Sequence, residues 1–137
     1  MVETIFAMML WIEANTDYHA PAFQPNVVIT EPSNVCVAYG LNQQGRCQAA
    51  RLLGFYDKDV TIYLRNDYQH TDIEHASRLL HELVHYVQWK NGSHENRCLG
   101  DLEAEAYELQ DRWRVQFGLE PKVDPFKLIM LSASCDD

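Results

Sequence analysis

The sequence contains no apolar run long enough to cross a lipid bilayer. Its most apolar stretch, IFAMMLWI at residues 5–12, is well short of the roughly 20 apolar residues that a transmembrane helix needs. Glu3 precedes this stretch and Glu13 follows it, whereas a signal peptide carries a basic segment before its apolar region. We therefore expect no membrane span, and we predict a buried N-terminal helix that ends near Asn15 and Thr16.

Basic residues are also scarce. The chain has 11 Lys and Arg residues against 20 Asp and Glu residues, which gives a formal net charge of -9. Binding to nucleic acid needs a basic surface that neutralises phosphates, and docking on an anionic membrane needs the same. We therefore expect no nucleic-acid partner. With 137 residues and no internal repeat, the chain has the size of one domain, residues 1–137.

The sequence has no Cys-x-x-Cys pair, which argues against a structural zinc knuckle. Its four cysteines are Cys36, Cys47, Cys98 and Cys135. Cys36 and Cys47 flank a glycine-containing stretch that can bring them together, and a Cys98–Cys135 bridge would hold a C-terminal tail that otherwise frays. Oxidised cysteines would favour a periplasmic or secreted location, whereas reduced thiols would favour the cytoplasm.

The central part of the sequence predicts a small sheet. Residues 27–30, 35–40 and 60–64 are short segments rich in β-branched and aromatic residues, a composition typical of strands. Residues 50–56 fit either a strand or a helix. Because the segments are short and a turn signal precedes residue 60, we expect the sheet to be mostly antiparallel.

Two well-defined helices are predicted after the sheet. Thr71 and Glu74 have the spacing of a capping box, apolar residues then recur at helical spacing, and Asn-Gly at residues 91–92 marks the helix end. The next helix should begin at residue 100 or 101 and end at residue 118, and a short one should follow it. The order of helix, small sheet, helix and helix indicates an α+β domain.

The first of these helices carries the motif HELVH, in which His81 and His85 are four residues apart. Residues at this spacing lie on one face of a helix, so both imidazoles can point at one zinc ion. Glu82 lies roughly 100° around the helix, within reach of a water on that ion. The motif therefore predicts a zinc site in which Glu82 is the general base, provided that a third ligand exists.

This pattern resembles the zincin metallopeptidases, and specifically their gluzincin-like branch. HELVH is followed on the next predicted helix by EAEAY, residues 103–107. The resemblance implies that Glu103 is the third zinc ligand and that Ala106 lets the two helices approach. The metzincin branch does not fit, because its glycine position is Gln88 here and its third-histidine position is Asn91. The whole chain also resembles a group of small bacterial domains built on this minimal core.

Other third ligands remain open from the sequence alone. His94 lies in a loop just after the motif helix and can swing back towards it. Asp101 and Glu105 share one side of the next helix with Glu108, where Arg112 is the nearest expected cation. Carboxylates in such a row usually form a solvated face.

The resemblance implies a zinc-dependent hydrolase that cleaves peptide bonds through a metal-activated water. It also implies that residues 61–64 form a strand that pairs with the substrate backbone. Tyr107 stands where many gluzincins hold a zinc histidine with an acid or Asn, so it either takes that role or polarises the substrate carbonyl. His75 and His94 are further candidates for such a donor. The alternative is a zinc-binding module without turnover, with a structural or protein-interaction role.

Overall fold

The computed structural model describes residues 1–30 and 61–136. Its elements in chain order are α1 (Val2–Asn15), β1 (Asn26–Thr30), β2 (Thr61–Arg65), α2 (Ile73–Lys90), a short 3-10 turn (Ser93–Glu95), α3 (Leu99–Gln116), α4 (Pro125–Ala133) and a terminal 3-10 turn (Ser134–Asp136). The domain is α+β, as the sequence predicts. Among the described residues, no helix combines the length and apolarity that crossing a membrane requires.

The core lies where α1, α2, α3 and β2 meet. Apolar residues recur at helical spacing along α2, and this places a continuous buried stripe between α1 on one side and α3 on the other. Ala106 is fully buried in this core, so its small side chain permits a close approach between α2 and α3. Larger members of the core include Ile5, Met9, Ile12, Ile62, Leu79, Leu80, Leu83, Val84, Leu109 and Trp113.

The expectation of an antiparallel sheet is wrong for the two described strands. β1 and β2 pair in parallel, with Asn26 opposite Thr61 and Thr30 opposite Arg65. The chain between the strands, residues 31–60, is long enough for the crossover that a parallel pair requires, whereas an antiparallel pair needs only a short turn. The predicted strand at 35–40, the ambiguous segment at 50–56 and both Cys36 and Cys47 lie outside the described residues.

The motif helix α2 begins differently from the predicted capping box. Its N-cap is Asp72, whose Oδ1 accepts hydrogen bonds from the backbone N–H groups of Glu74 at 2.9 Å and His75 at 3.4 Å. Thr71 is not the cap, because an aspartate one residue later serves equally well. The predicted end is confirmed: Asn91 is the C-cap, and Gly92 follows it with φ of 77°, which favours glycine.

A disulfide between Cys98 and Cys135 fastens α4 to the start of α3 and confirms the predicted pairing. The contact is close: a Cβ added at Gly100 would lie 2.1 Å from the carbonyl oxygen of Leu131, so only glycine fits there. α3 itself starts at Leu99 and ends at Gln116, within two residues of the predicted bounds. As a result, α4 is held along the flank of α3.

Candidate metal centre

Helices α2 and α3 bring His81, His85 and Glu103 together. One ligand atom from each side chain lies within 4.8 Å of the other two, which makes the group able to hold a metal ion. Nε2 of His81 is 2.5 Å from Oε1 of Glu103, and Nε2 of His85 is 3.5 Å from Oε2. All three residues are buried, with Glu103 only 2% exposed. The two histidines predicted from their spacing and the glutamate that the resemblance implies therefore lie around one point.

Glu103 is a buried carboxylate whose closest charged or titratable neighbours are the two histidines. Both of its carboxylate oxygens are buried, and no described group donates a well-aligned hydrogen bond to either one. Burial opposes ionisation of Glu103, but its interactions with His81 and His85 outweigh burial and lower its pKa to about 2. Burial likewise lowers the pKa of His85, but the contact with Glu103 outweighs this and raises it. The pocket therefore holds a buried carboxylate that attracts a cation.

Gln88 fixes which nitrogen of His85 is available to that cation. Nδ1 of His85 is 2.9 Å from Oε1 of Gln88. The orientation of the Gln88 amide follows from its other end, where Nε2 donates to the Leu102 carbonyl and to Oε1 of Glu105, both at 2.9 Å. Because the amide oxygen can only accept, Nδ1 of His85 must carry the hydrogen. In the neutral form of His85, Nε2 is therefore the nitrogen that carries the lone pair, and it lies on the side of Glu103, where a metal would bind.

Gln110 does the same for His81. Nδ1 of His81 is 3.0 Å from Oε1 of Gln110, and Nε2 of Gln110 is directed at the Ser77 hydroxyl at 3.4 Å. That hydroxyl donates to the Glu74 carbonyl at 2.8 Å, so it is left to accept from Gln110. Both histidines are thus held in the same tautomer by buried glutamines, an arrangement that orients ligands in metal sites.

The sequence argument did not identify either glutamine as a positioning residue. Gln88 entered only as the position at which a metzincin has glycine, and Gln110 was not singled out. A helical projection contains the signal, since Gln88 is three residues after His85 and Gln110 is seven after Glu103. A buried glutamine beside a candidate ligand is the pattern that would reveal such a partner.

The other candidate third ligands lie elsewhere. Glu105 binds Gln88, Tyr18 and Arg97, and its expected partner Arg112 instead donates to the Asn15 carbonyl. Its role is therefore to hold the partner of a ligand. The ring of His94 stacks on that of Trp89, with centroids 3.7 Å apart.

Asp101 belongs to a second group of possible ligands with Cys98 and Cys135. Those two thiols are joined in the disulfide, so they are not available as thiolate ligands. The buried group of two histidines and one glutamate is therefore the better candidate for a metal.

Comparison with known proteins gives one match. The model of the family described as Domain of unknown function (DUF6647) matches residues 1–137. The chain belongs to this family. No curated protein and no solved structure matches it significantly.

Of the three candidate donors in this DUF6647 domain, Tyr107 is the one placed beside the ligands. Its ring centroid is 4.5 Å from that of His81. Because Gln110 already occupies Nδ1 of His81, that nitrogen has its partner without Tyr107. His75 accepts a hydrogen bond from the Gln69 backbone N–H at its Nδ1 and packs against Tyr68, away from the ligands.

An open cleft of about 650 Å³ gives access to the three candidate ligands of the DUF6647 domain. Glu82 lines this cleft beside His81, His85 and Glu103, and it is partly exposed rather than buried. After the contact with Glu103, the charge of Glu82 is a further effect that raises the pKa of His85. The arrangement thus has an inner side, where buried glutamines hold the histidines, and an outer side that carries the partly exposed Glu82.

Proposed function

We propose that this domain is a zinc-dependent hydrolase that cleaves peptide bonds. The observation that carries the proposal is the group of His81, His85 and Glu103, oriented from behind and open to a cleft that Glu82 also lines. Two imidazoles and one carboxylate form a donor set typical of catalytic zinc. The two positioned lone pairs and the buried carboxylate of Glu103 supply what that ion requires.

The number of ligands favours catalysis over a purely structural site. Structural zinc sites usually have four protein ligands, whereas catalytic sites have three and leave a position for water or substrate. Among the described residues, the metal-capable group at the cleft contains three side chains. A carboxylate at the position of Glu82 has no use in a closed structural site, which speaks against the alternative of a zinc module without turnover.

Each side chain has a distinct part in the proposed reaction. When bound, zinc lowers the pKa of water and polarises a carbonyl. Glu82 accepts the proton of the attacking water and then passes it to the leaving amine. Gln88 and Gln110 keep the imidazoles fixed while the charge changes. Arg65 ends β2 and also lines the cleft, so β2 borders the space in which we place an extended substrate.

The direct test is digestion of a mixed peptide library by the zinc-loaded protein, read by mass spectrometry, for wild type and Glu82→Gln. We expect cleavage by wild type and a loss of about 100-fold to 10,000-fold in the variant, with zinc content unchanged. Glu108→Gln removes an exposed carboxylate from α3 and is the matched control. Full activity of Glu82→Gln would contradict the mechanism.

The same preparation distinguishes an open site from a closed one. A hydroxamate chelator should raise the melting temperature of the zinc-loaded protein, because it can occupy a position that no side chain fills. An unchanged melting temperature, together with bound zinc and no cleavage, would support the module without turnover instead.

A further inference from the structure

The wall of the cleft has a charge opposite to that of the protein as a whole. The chain carries a net charge of -9, yet four cationic side chains line this one cleft: Arg65, Arg78, Lys122 and Lys127. The carboxylates that line it are Glu82, Glu103 and Asp124, and the first two face the metal position. Asp124 caps α4 by accepting from the Phe126 backbone N–H at 2.8 Å. Outside the metal position, cations therefore dominate the wall.

Lys127 is the cation whose position near the ligands is best defined. Its ammonium lies 4.6 Å from the ring centroid of Tyr107, and that ring in turn packs against His81. A contact of this kind holds an ammonium by the negative face of the ring. Lys127 belongs to α4, which the disulfide and the close approach at Gly100 keep against α3. A charge on this wall is thus built into the fold.

Lys122 is placed by the chain segment between α3 and α4. The Asp111 carboxylate accepts two hydrogen bonds from this segment, from the backbone N–H groups of Lys122 at 2.8 Å and Val123 at 3.0 Å. These bonds fix the backbone that carries the Lys122 side chain. Lys122 and Lys127 therefore form one cationic wall that is attached to α3.

Arg65 and Arg78 form the cationic wall on the β2 and α2 side. Arg65 ends β2, and Arg78 lies one turn before Glu82 on α2. Both approach a single carboxylate, Asp67, at 3.9 Å and 3.5 Å. Glu74 also interacts electrostatically with Arg78, but two hydrogen bonds from Arg114 engage its carboxylate. Two carboxylates, Asp67 and Glu74, therefore face three guanidinium groups, so this wall keeps a positive charge that a ligand can meet.

We propose that the cleft selects peptides with acidic side chains next to the bond that is cleaved. This inference rests on the proposed function, since it names the substrate class of the same site. A substrate backbone beside Glu82 would place its flanking side chains against the two cationic walls, where carboxylates are attracted and lysines or arginines are repelled. In a protein of net negative charge, this local field would steer an acidic peptide towards the cleft rather than towards the rest of the surface.

The test compares two fluorescein-labelled peptide pools that differ only in having Glu or Gln at the central positions. Binding to zinc-loaded Glu82→Gln protein is measured by fluorescence anisotropy, so the readout does not depend on turnover. We expect the Glu pool to bind about tenfold more tightly at low salt, with the difference shrinking as salt is added. Cleavage of both pools by wild type is followed in parallel.

Lys127→Gln is the variant, and Lys90→Gln is its matched control. Lys90 also lies over an aromatic ring, 5.9 Å from the centroid of Tyr86, but it does not line the cleft. Lys127→Gln should weaken binding of the Glu pool by about twofold to fivefold and leave the Gln pool unchanged. Lys90→Gln should change neither pool.

The outcomes separate the two proposals. Equal binding of the two pools, or equal effects of Lys127→Gln and Lys90→Gln, would overturn the acidic preference even if wild type cleaves peptides. Preferential binding of the Glu pool without cleavage of either pool would support the preference while overturning hydrolysis.

Discussion

The inner and outer sides of the candidate metal centre differ in how completely their polar groups are satisfied. On the inner side, Gln88 and Gln110 each hold a histidine with the amide oxygen and use the amide nitrogen on a further buried acceptor. On the outer side, Glu82 and Lys127 face a cleft that is open to solvent. The glutamines of the inner side therefore hold the two imidazoles in one orientation, whereas the charged side chains of the outer side remain available to a substrate.

This difference predicts how substitutions will divide. Changes on the inner side should lower both metal affinity and stability, because they leave buried polar groups without partners. Changes on the outer side should alter turnover or specificity while stability stays near that of wild type, because exposed groups contribute little to folding. Variants of the inner side are therefore read by metal content and melting temperature. Variants of the outer side are read by peptide cleavage and peptide binding.

The largest effect is expected for Glu103→Ala, the ligand at which the two sides meet. Its removal leaves two imidazoles without the buried carboxylate, so we expect near-stoichiometric zinc in wild type and none in the variant, measured by ICP-MS. Glu108→Ala, on an exposed position of the same helix, should keep its zinc. If Glu103→Ala retained its zinc, the third ligand would have to be a residue other than Glu103.

Glu82→Gln should show the opposite pattern, with activity lost and the fold unaffected. We expect the melting temperature and the zinc content to match those of wild type, while kcat falls by about 100-fold to 10,000-fold. The physical reason is that Glu82 lines the open cleft and, among the described residues, forms no hydrogen bond with the buried glutamines. A fall in melting temperature comparable to that of Glu103→Ala would remove the distinction between the two sides.

Gln110→Ala and Gln88→Ala should have intermediate effects on zinc. Loss of such partners typically weakens metal binding by about 10-fold to 100-fold, because the imidazole is no longer held in one tautomer. Each variant should also lose about 1–3 kcal/mol of unfolding free energy from the unpaired buried N–H. Competition with a chelator and denaturant unfolding measure the two effects. Gln69→Ala, an exposed glutamine before α2, is the control.

The buried network behind Gln88 extends this comparison to Glu105. Its carboxylate accepts from Gln88 at 2.9 Å and from Arg97 at 3.2 Å, and it binds the Tyr18 hydroxyl. Glu105→Gln should therefore weaken zinc binding less than Gln88→Ala does, because the amide can still accept from Gln88. If Glu105→Gln lost all its zinc while Glu103→Ala kept it, Glu105 would be the zinc ligand and Glu103 would not.

How far the site could be predicted depended on whether its contacts follow helical geometry. His81 and His85 share a face of one helix by spacing alone, and the structure keeps that relation. Glu103 required the further condition that α3 reverse beside α2, which the resemblance implied and the burial of Ala106 permits. Gln110 was missed as the partner of His81: its spacing places it on the face of α3 that carries Glu103, but its contact with His81 crosses between helices and depends on how α3 packs against α2.

The sheet was harder to predict than the helices. The spans of the two described strands were close to those expected, since alternating β-branched residues mark them. Their direction was not, because direction depends on where the chain between them travels, and composition does not record that path. Similarly, Thr71 and Glu74 matched a capping pattern, yet Asp72 is the cap because a competing side chain one residue away satisfies the same N–H groups.

The smallest predicted effect concerns Glu74. Because Asp72 caps α2, the Glu74 side chain does not act as a cap and pairs with Arg114 instead. The Glu74 carboxylate receives two bonds from the buried guanidinium, at 2.6 Å and 3.1 Å, and Arg114 also donates to Ser77, which receives Gln110. The hydrogen bond from Arg114 holds the pKa of Glu74 below its usual value. A lowered pKa means that this pair stabilises the fold above the unfolded pKa of Glu and ceases to do so as the pH falls through the folded one.

Glu74→Gln should therefore lower the stability at neutral pH by less than about 1 kcal/mol, because the carboxylate is half exposed. The difference from wild type should vanish only at a pH below the lowered pKa of Glu74 in the folded protein, where both proteins carry a neutral group at this position. Urea unfolding at several pH values measures it, with Glu108→Gln as the control. A difference that stays constant down to acid pH would show that the substitution acts through packing rather than through charge, and that the ion pair contributes nothing to the support behind Gln110.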